Sequence, residues 1–296
     1  MATPLDRGLW GILATPFLDG RVDDASLRRE VELFTSIPAA GIVALGVFGE
    51  GASLDSAEQR HVVATVVEAA GGLPVVAGVS ALRTAPVVEQ ARTAVDAAGG
   101  RLAALMVQAN SPKADVLTAH LRAVHDATGA GIVLQDYPVS SGVTVPTPVL
   151  LDVVAACPFV VAVKAESPPV SAAIAAIAPH VAVPVFGGLG GVGLLDELAV
   201  GAAGAMTGFS RPEALAAAIG AWDTGGMPAA EAAFARWLPL ANFEAQAGIG
   251  LALRKEALRL RGIFTSSEVR APAPAMPDAL RPVLDMHLAN LTEETA

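Results

Sequence analysis

A recurrence constrains this chain more than any single residue does. Eight short apolar runs rich in β-branched residues, at 9–16, 41–47, 74–79, 104–108, 131–137, 159–165, 184–187 and 204–207, read as buried strands. Each is followed by a stretch with helical character, at 25–39, 56–70, 86–98, 114–128, 149–156, 170–178, 193–200 and 212–222. Strand–helix units repeating about every 25 to 30 residues are the pattern of an α/β (β/α)8 TIM barrel. The rival is an open doubly wound sheet, but no Gly-x-Gly-x-x-Gly turn follows the first strand. Asp55 and Glu58 have capping-box spacing, and Asp24 is expected to cap the first helix. The barrel is expected over 1–225. Residues 226–296 hold more helix than a closed barrel needs and are expected to pack on it as a C-terminal helical region. Pro272, Pro274 and Pro277 divide that region into two helical pieces.

Composition matters here for what it excludes. With 53% hydrophobic residues and a mean hydropathy of +0.54, the chain can bury an extensive core. The net charge is −10 and no basic cluster is present, so nucleic acid is not an expected partner. The single cysteine, Cys157, rules out an intrachain disulfide and suits a reducing, cytoplasmic setting. Its apolar neighbours point to a core residue. The N-terminus lacks the pattern of a signal peptide. Residues 167–195 carry no formal charge, but prolines and glycines break the run, so buried strands and loops are expected rather than a membrane span. His61, His120 and His125 fall on helices, His180 in a loop and His287 on the last helix. No strand end therefore offers metal-ligand spacing, and neither metal nor cofactor is expected.

Lysine is scarce: only Lys113, Lys164 and Lys255 occur. Lys113 and Lys255 are expected in polar surroundings, the latter beside Arg254 and Glu256. Lys164 instead lies inside Val160-Val161-Ala162-Val163-Lys164-Ala165. An ammonium there must find a counter-charge or lose its proton, and a lysine amine attacks carbonyls to form Schiff bases. The alternative is a strand-end lysine whose stem packs inside while its head reaches water. Active sites of such barrels lie at the C-terminal strand ends, which is where Lys164 falls.

Four motifs, in this order and spacing, carry a family resemblance over nearly the whole chain. They are Gly11-Ile12-Leu13-Ala14-Thr15-Pro16-Phe17, then Gly46-x-x-Gly49-Glu50-x-x-Ser53-Leu54, then Pro138 after the fifth strand, then Val161-x-Val163-Lys164. The chain resembles the dihydrodipicolinate synthase / N-acetylneuraminate lyase superfamily of class I, pyruvate-dependent aldolases. That resemblance implies a (β/α)8 barrel with appended C-terminal helices, a homo-oligomer (tetramer or dimer), and Lys164 as the imine-forming residue. It also implies that Glu50 fixes its loop and that Gly187 approaches a bound keto acid through its backbone.

The departures from the family pattern are specific. Val47 and Phe48 stand where the family usually has two threonines, so both hydroxyls are lost, although backbone N–H groups of that loop can still bind a carboxylate. Gln135 stands where a proton-shuttling tyrosine is usual, and an amide does not exchange a proton near neutral pH. Ser140 replaces the arginine that grips the second substrate's carboxylate in dihydrodipicolinate synthase, so lysine biosynthesis is not expected. Candidate proton carriers are Tyr137, the only tyrosine and two residues beyond Gln135, and Glu166, two residues beyond Lys164. Asp136 alternates to the opposite face and is expected to be a structural hydrogen-bonding group. The cluster Gly187-Gly188-Leu189-Gly190-Gly191 admits a phosphate site or, as the resemblance implies, keto-acid contact through Gly187. Thr207 and Phe209 are expected in the same pocket.

These features lead to an expected Schiff-base lyase that acts through Lys164 on pyruvate or another 2-oxo acid, with a less polar aldehyde as second substrate. Val47, Phe48, Gln135, Ser140, Gly187 and Thr207 would line the substrate site. A dehydratase or hydratase-aldolase of the same family, and a catalytically silent homologue that binds small carboxylates, are the alternatives.

Overall fold

The structure, a computed structural model of the chain, describes residues 3–292. The eight expected strands form one parallel sheet: β1 (Gly8–Ile12), β2 (Gly41–Ala44), β3 (Val75–Val79), β4 (Leu102–Gln108), β5 (Ile132–Asp136), β6 (Val160–Ala165), β7 (Val185–Phe186) and β8 (Gly204–Thr207). They pair in chain order, and β1 pairs with β8 as well as β2. A bridge between Gly187 and Ala205, with Met206 N donating to Gly187 O at 2.9 Å, closes the barrel between β7 and β8.

Each strand is followed by a helix: α1 (Asp24–Thr35), α2 (Ser56–Ala69), α3 (Thr84–Ala97), α4 (Ala114–Thr128), α5 (Thr147–Ala156), α6 (Val170–Ile177), α7 (Leu194–Ala199) and α8 (Pro212–Phe234). The helix starts are written locally. The Asp55–Glu58 capping box is formed at α2. At α1 the cap is Asp23, which accepts from Ala25 N and Ser26 N, and not Asp24, which pairs with His61 at 2.6 Å instead. An N-cap must have extended φ/ψ outside the helix, which Asp23 has and Asp24 lacks. α8 is interrupted at Gly226 (φ 63°, ψ −155°), and the chain continues through α9 (Leu238–Glu244), α10 (Gly250–Leu260) and α11 (Arg281–Thr292).

Side chains separate by strand alternation. Trp10, Val43, Met106, Val133, Phe186 and Met206 fill the barrel interior, whereas a larger apolar layer packs between sheet and helices. Because strand period is two, Val133 and Gln135 share one face, as do Ala162 and Lys164. The β5–β6 register sets Val133 beside Ala162 and Gln135 beside Lys164. Apolar residues thus plug the barrel below, and polar ones open at its C-terminal mouth. Among the described residues, no helix is long and apolar enough to cross a membrane.

Candidate active site

Lys164 is the penultimate residue of β6, 5% exposed, with its Nζ 3.0 Å from Glu166 Oε2. The same Glu166 oxygen accepts from Gln135 Nε2 at 2.7 Å. The buried cation has thus found its counter-charge two residues along its own strand direction, and the register places the amide of the neighbouring strand to hold that carboxylate. Lys164 and Glu166 open onto a cavity of about 580 Å3, lined also by Val47, Phe48, Gln135, Tyr137 and Thr207. No other group stands between the Lys164 amine and the Glu166 carboxylate, and both line the cavity. Tyr137 lies just past the end of β5 yet still faces this cavity. Burial, and then the Glu166 charge, push its phenol above the ordinary 10.0, so near neutral pH it is a donor.

A second cavity of about 530 Å3 adjoins the first, sharing Val47, Gln135, Gly248, Leu251 and Ala273 as walls. Leu45, Val79, Leu82, Met106, Pro272 and Pro274 make much of it apolar. Ser140 lines this compartment and not the one holding Lys164, because the helical turn Pro138–Ser141 carries it sideways from the strand end.

Of the glycine cluster after β7, Leu189 and Gly190 line the Lys164 cavity, whereas Gly187 does not. Where Gly187 would carry a Cβ, Glu197 Oε2 lies 1.8 Å away, so Gly187 is buried against α7 and not among the cavity's lining residues. A Cβ on Gly188 would meet Glu166 Oε1 at 2.2 Å, and one on Gly190 would meet Arg254 Nη2 at 2.4 Å. Each missing side chain is room for an ionisable group arriving from another element. Thr207 belongs to this scaffold too: its Oγ1 accepts from Gly190 N at 2.7 Å, tying the loop to β8.

Glu50 holds the loop after β2. It sits in the left-handed region (φ 54°), its Oε1 accepts from Arg270 N at 2.8 Å, and its Oε2 accepts from Lys255 Nζ. Lys255 is not in polar surroundings, contrary to the sequence-based expectation. Its side chain is fully buried, and its Nζ lies 4.4 Å from the Phe17 ring centroid and 2.9 Å from Glu268 O. Burial lowers its pKa against the raising effect of Glu50. Asp136 lies on the face away from the cavities that Gln135 lines, as strand alternation leads one to expect. Buried outside both cavities, it leaves Oδ1 without a hydrogen-bond partner, and burial with the nearby Glu166 charge pushes its carboxyl up to about 6.

Two site residues carry no obvious sequence signal. Glu197, behind Gly187, is pushed up to about 8, first by burial and then by Glu166 and Asp196. Arg254 reaches the Lys164 cavity from α10. The one hint was that Leu251-Ala252-Leu253 and Ala257-Leu258 flank its charges with residues that favour burial. Among the described residues, no group of three or more His, Cys, Asp or Glu is placed to hold a metal.

Comparison with known proteins agrees with this fold. The profile of the Dihydrodipicolinate synthetase family matches residues 6–290. The chain is 29% identical over 289 residues to an L-2-keto-3-deoxyarabonate dehydratase of Azospirillum brasilense, covering 93% of this chain and 91% of that one. It is 32% identical over 268 residues to a 4-hydroxy-tetrahydrodipicolinate synthase of Corynebacterium aurimucosum, covering 89% and 87%. The crystal structure of dihydrodipicolinate synthase from Rhodopseudomonas palustris superposes with a TM-score of 0.89 at 31% identity, over 97% of this chain and 98% of that one. A profile match across nearly the full length and an end-to-end superposition leave one assignment: the chain belongs to the Dihydrodipicolinate synthetase family and is an enzyme of the lyase class.

Proposed function

We propose that the chain is a lysine-imine lyase that dehydrates a 3-deoxy-4-hydroxy-2-oxo acid. The observation that carries this reading is the Lys164–Glu166 contact of 3.0 Å, in a cavity where the usual tyrosine position is occupied by Gln135. The Lys164 amine adds to the C2 ketone and one water leaves, forming a protonated imine. Glu166 takes a proton from C3, and the electron pair of that C–H bond moves to the iminium nitrogen to give an enamine. The enamine pushes out the C4 hydroxyl, which leaves as water with the proton from Glu166. Hydrolysis of the resulting conjugated imine frees Lys164, and the net change is loss of one water. A base beside Nζ is well placed for C3, one bond from the imine carbon. Carbon–carbon cleavage instead needs a base at the C4 hydroxyl, one atom further out, where Tyr137 with its raised pKa is a poor acceptor. The likeness to the Azospirillum dehydratase supports the same choice.

The apolar second compartment favours one other reading, retro-aldol release of an apolar aldehyde. Borohydride reduction in the presence of 2-oxo acids, with peptide mass mapping, is expected to label Lys164 and to fail in Lys164→Ala. Product analysis then separates the readings. A 2-oxo acid lighter by one water supports dehydration, and pyruvate plus an aldehyde supports cleavage. Absence of a Lys164 adduct with every 2-oxo acid tried, alongside measurable binding, would mean a silent carboxylate-binding homologue.

A further inference from the structure

Arg254 is a buried cation with hydrogen-bond donors left unused. Its side chain is 11% exposed, and its ion-pair partner Glu244 Oε2 lies 3.6 Å from Nε, beyond hydrogen-bond reach. Both Glu244 oxygens are already engaged, Oε2 accepting from Ser210 N at 3.1 Å and Oε1 from Ser210 Oγ. Arg254 Nε has no hydrogen-bond partner. A guanidinium carries five donors in a planar fork, and one buried with donors unused is costly unless an acceptor arrives.

The surroundings hold that fork in place at the cavity. The guanidinium carbon sits 4.9 Å from the centroid of the Phe48 ring. The ring in turn packs where Gly208 would carry a Cβ, 2.5 Å from Phe48 Cδ1. Gly190, at φ +79°, leaves the space that Nη2 fills. Phe48 is the residue whose family counterpart would supply a hydroxyl to the keto-acid carboxylate. The substitution that removes a donor thus supplies the shelf for a stronger one. Among the described residues lining this cavity, Lys164 and Arg254 are the cationic side chains, and Lys164 is already paired with Glu166.

We infer that Arg254 is the carboxylate-recognition residue of the site, a fork from the C-terminal region replacing the hydroxyls lost from the barrel loop. This rests on the reading of the cavity as a 2-oxo acid site. A carboxylate accepts two parallel N–H bonds from such a fork, which fixes the orientation of the oxo acid as well as its affinity.

The test measures the concentration dependence of Lys164 labelling under borohydride with pyruvate and with its uncharged methyl ester. Arg254→Met is expected to raise the half-saturating pyruvate concentration about 10- to 100-fold, the equivalent of a charge-assisted pair, and to leave the ester unchanged. Arg254→Lys should recover part of the pyruvate affinity. The double variant Arg254→Met/Glu244→Gln removes the unpaired acid and keeps the comparison available if the single variant folds poorly. Equal losses for acid and ester, or no loss for the acid, would overturn the inference. If wild type labels with neither probe, the imine reading fails separately, and calorimetric binding of pyruvate decides this one. Binding that depends on Arg254 sustains it, and binding that is absent or indifferent to Arg254 overturns it.

Discussion

Replacing Gly188 by alanine tests whether the position of Glu166 matters to the chemistry. A Cβ at residue 188 would lie 2.2 Å from Glu166 Oε1, whereas ordinary contact begins near 3.4 Å, so the carboxylate must retreat by about 1 Å. Glu166 is 4% exposed, and its other oxygen is fixed by Gln135 at 2.7 Å and Lys164 at 3.0 Å. The displacement therefore breaks at least one of those contacts. A misplacement of about 1 Å in a catalytic group costs roughly 100-fold in rate, and overpacking costs about 1–3 kcal/mol in stability. Steady-state turnover of a 2-oxo acid substrate should fall about 100-fold in Gly188→Ala, while borohydride labelling of Lys164 falls much less, since the nucleophile is untouched. Glu166→Gln, which removes the base without moving anything, should lose at least as much turnover. Gly220→Ala serves as the control, because nothing lies within 4 Å of a Cβ there and the site is an exposed helical one. If Gly188→Ala keeps turnover within a few-fold of wild type, Glu166 is not the proton carrier and bound water takes its place.

Two further outcomes follow from buried charge. Lys255→Met leaves the Glu50 carboxylate without its buried ammonium partner and should destabilise the fold by about 3–5 kcal/mol in urea denaturation, with Glu50→Gln in the same chain restoring part of the loss. No change in the single variant would show that Arg270 N alone satisfies Glu50. The second concerns pH. Glu197 is raised from 4.5 to about 8, so the folded chain keeps a proton there that the unfolded chain loses near its ordinary pKa. Its contribution to stability is therefore full below about pH 4.5 and is lost as pH rises to about 8, at roughly 1.4 kcal/mol per pH unit. Glu30, also raised to about 8, and Asp136, raised to about 6, act in the same direction. Glu197→Gln should flatten the fall of the urea midpoint between pH 5 and pH 8, and an unchanged slope would show that Glu197 is ionised in the folded chain.

The barrel was legible because its signals are local. Strand and helix periods, the Asp55–Glu58 box and an apolar run around one lysine each involve neighbours in the chain. Strand ends were less so: the second strand stops at Ala44 instead of 47, where Leu45 turns into the left-handed region (φ 58°). A leucine gives no local warning of that, since the conformation is imposed by packing around the loop. The glycine cluster shows the same limit. Its composition says that side chains are unwelcome, but whose atoms take the space depends on how α7, β6 and α10 dock around it.

Arg254 and Lys255 mark the boundary most clearly. Chain order alone determined a barrel and set Lys164, with Glu166 two residues beyond it, at one strand's end, because a strand presents residues i and i+2 on one face. It could not separate two adjacent cations in a charged stretch of helix. Consecutive helical residues point about 100° apart, so docking α10 across the barrel mouth sends one toward the Lys164 cavity and the other beneath the Glu50 loop. Which face of that helix met which wall, and so which charge lines the cavity and which is paired with Glu50, was decided by tertiary packing.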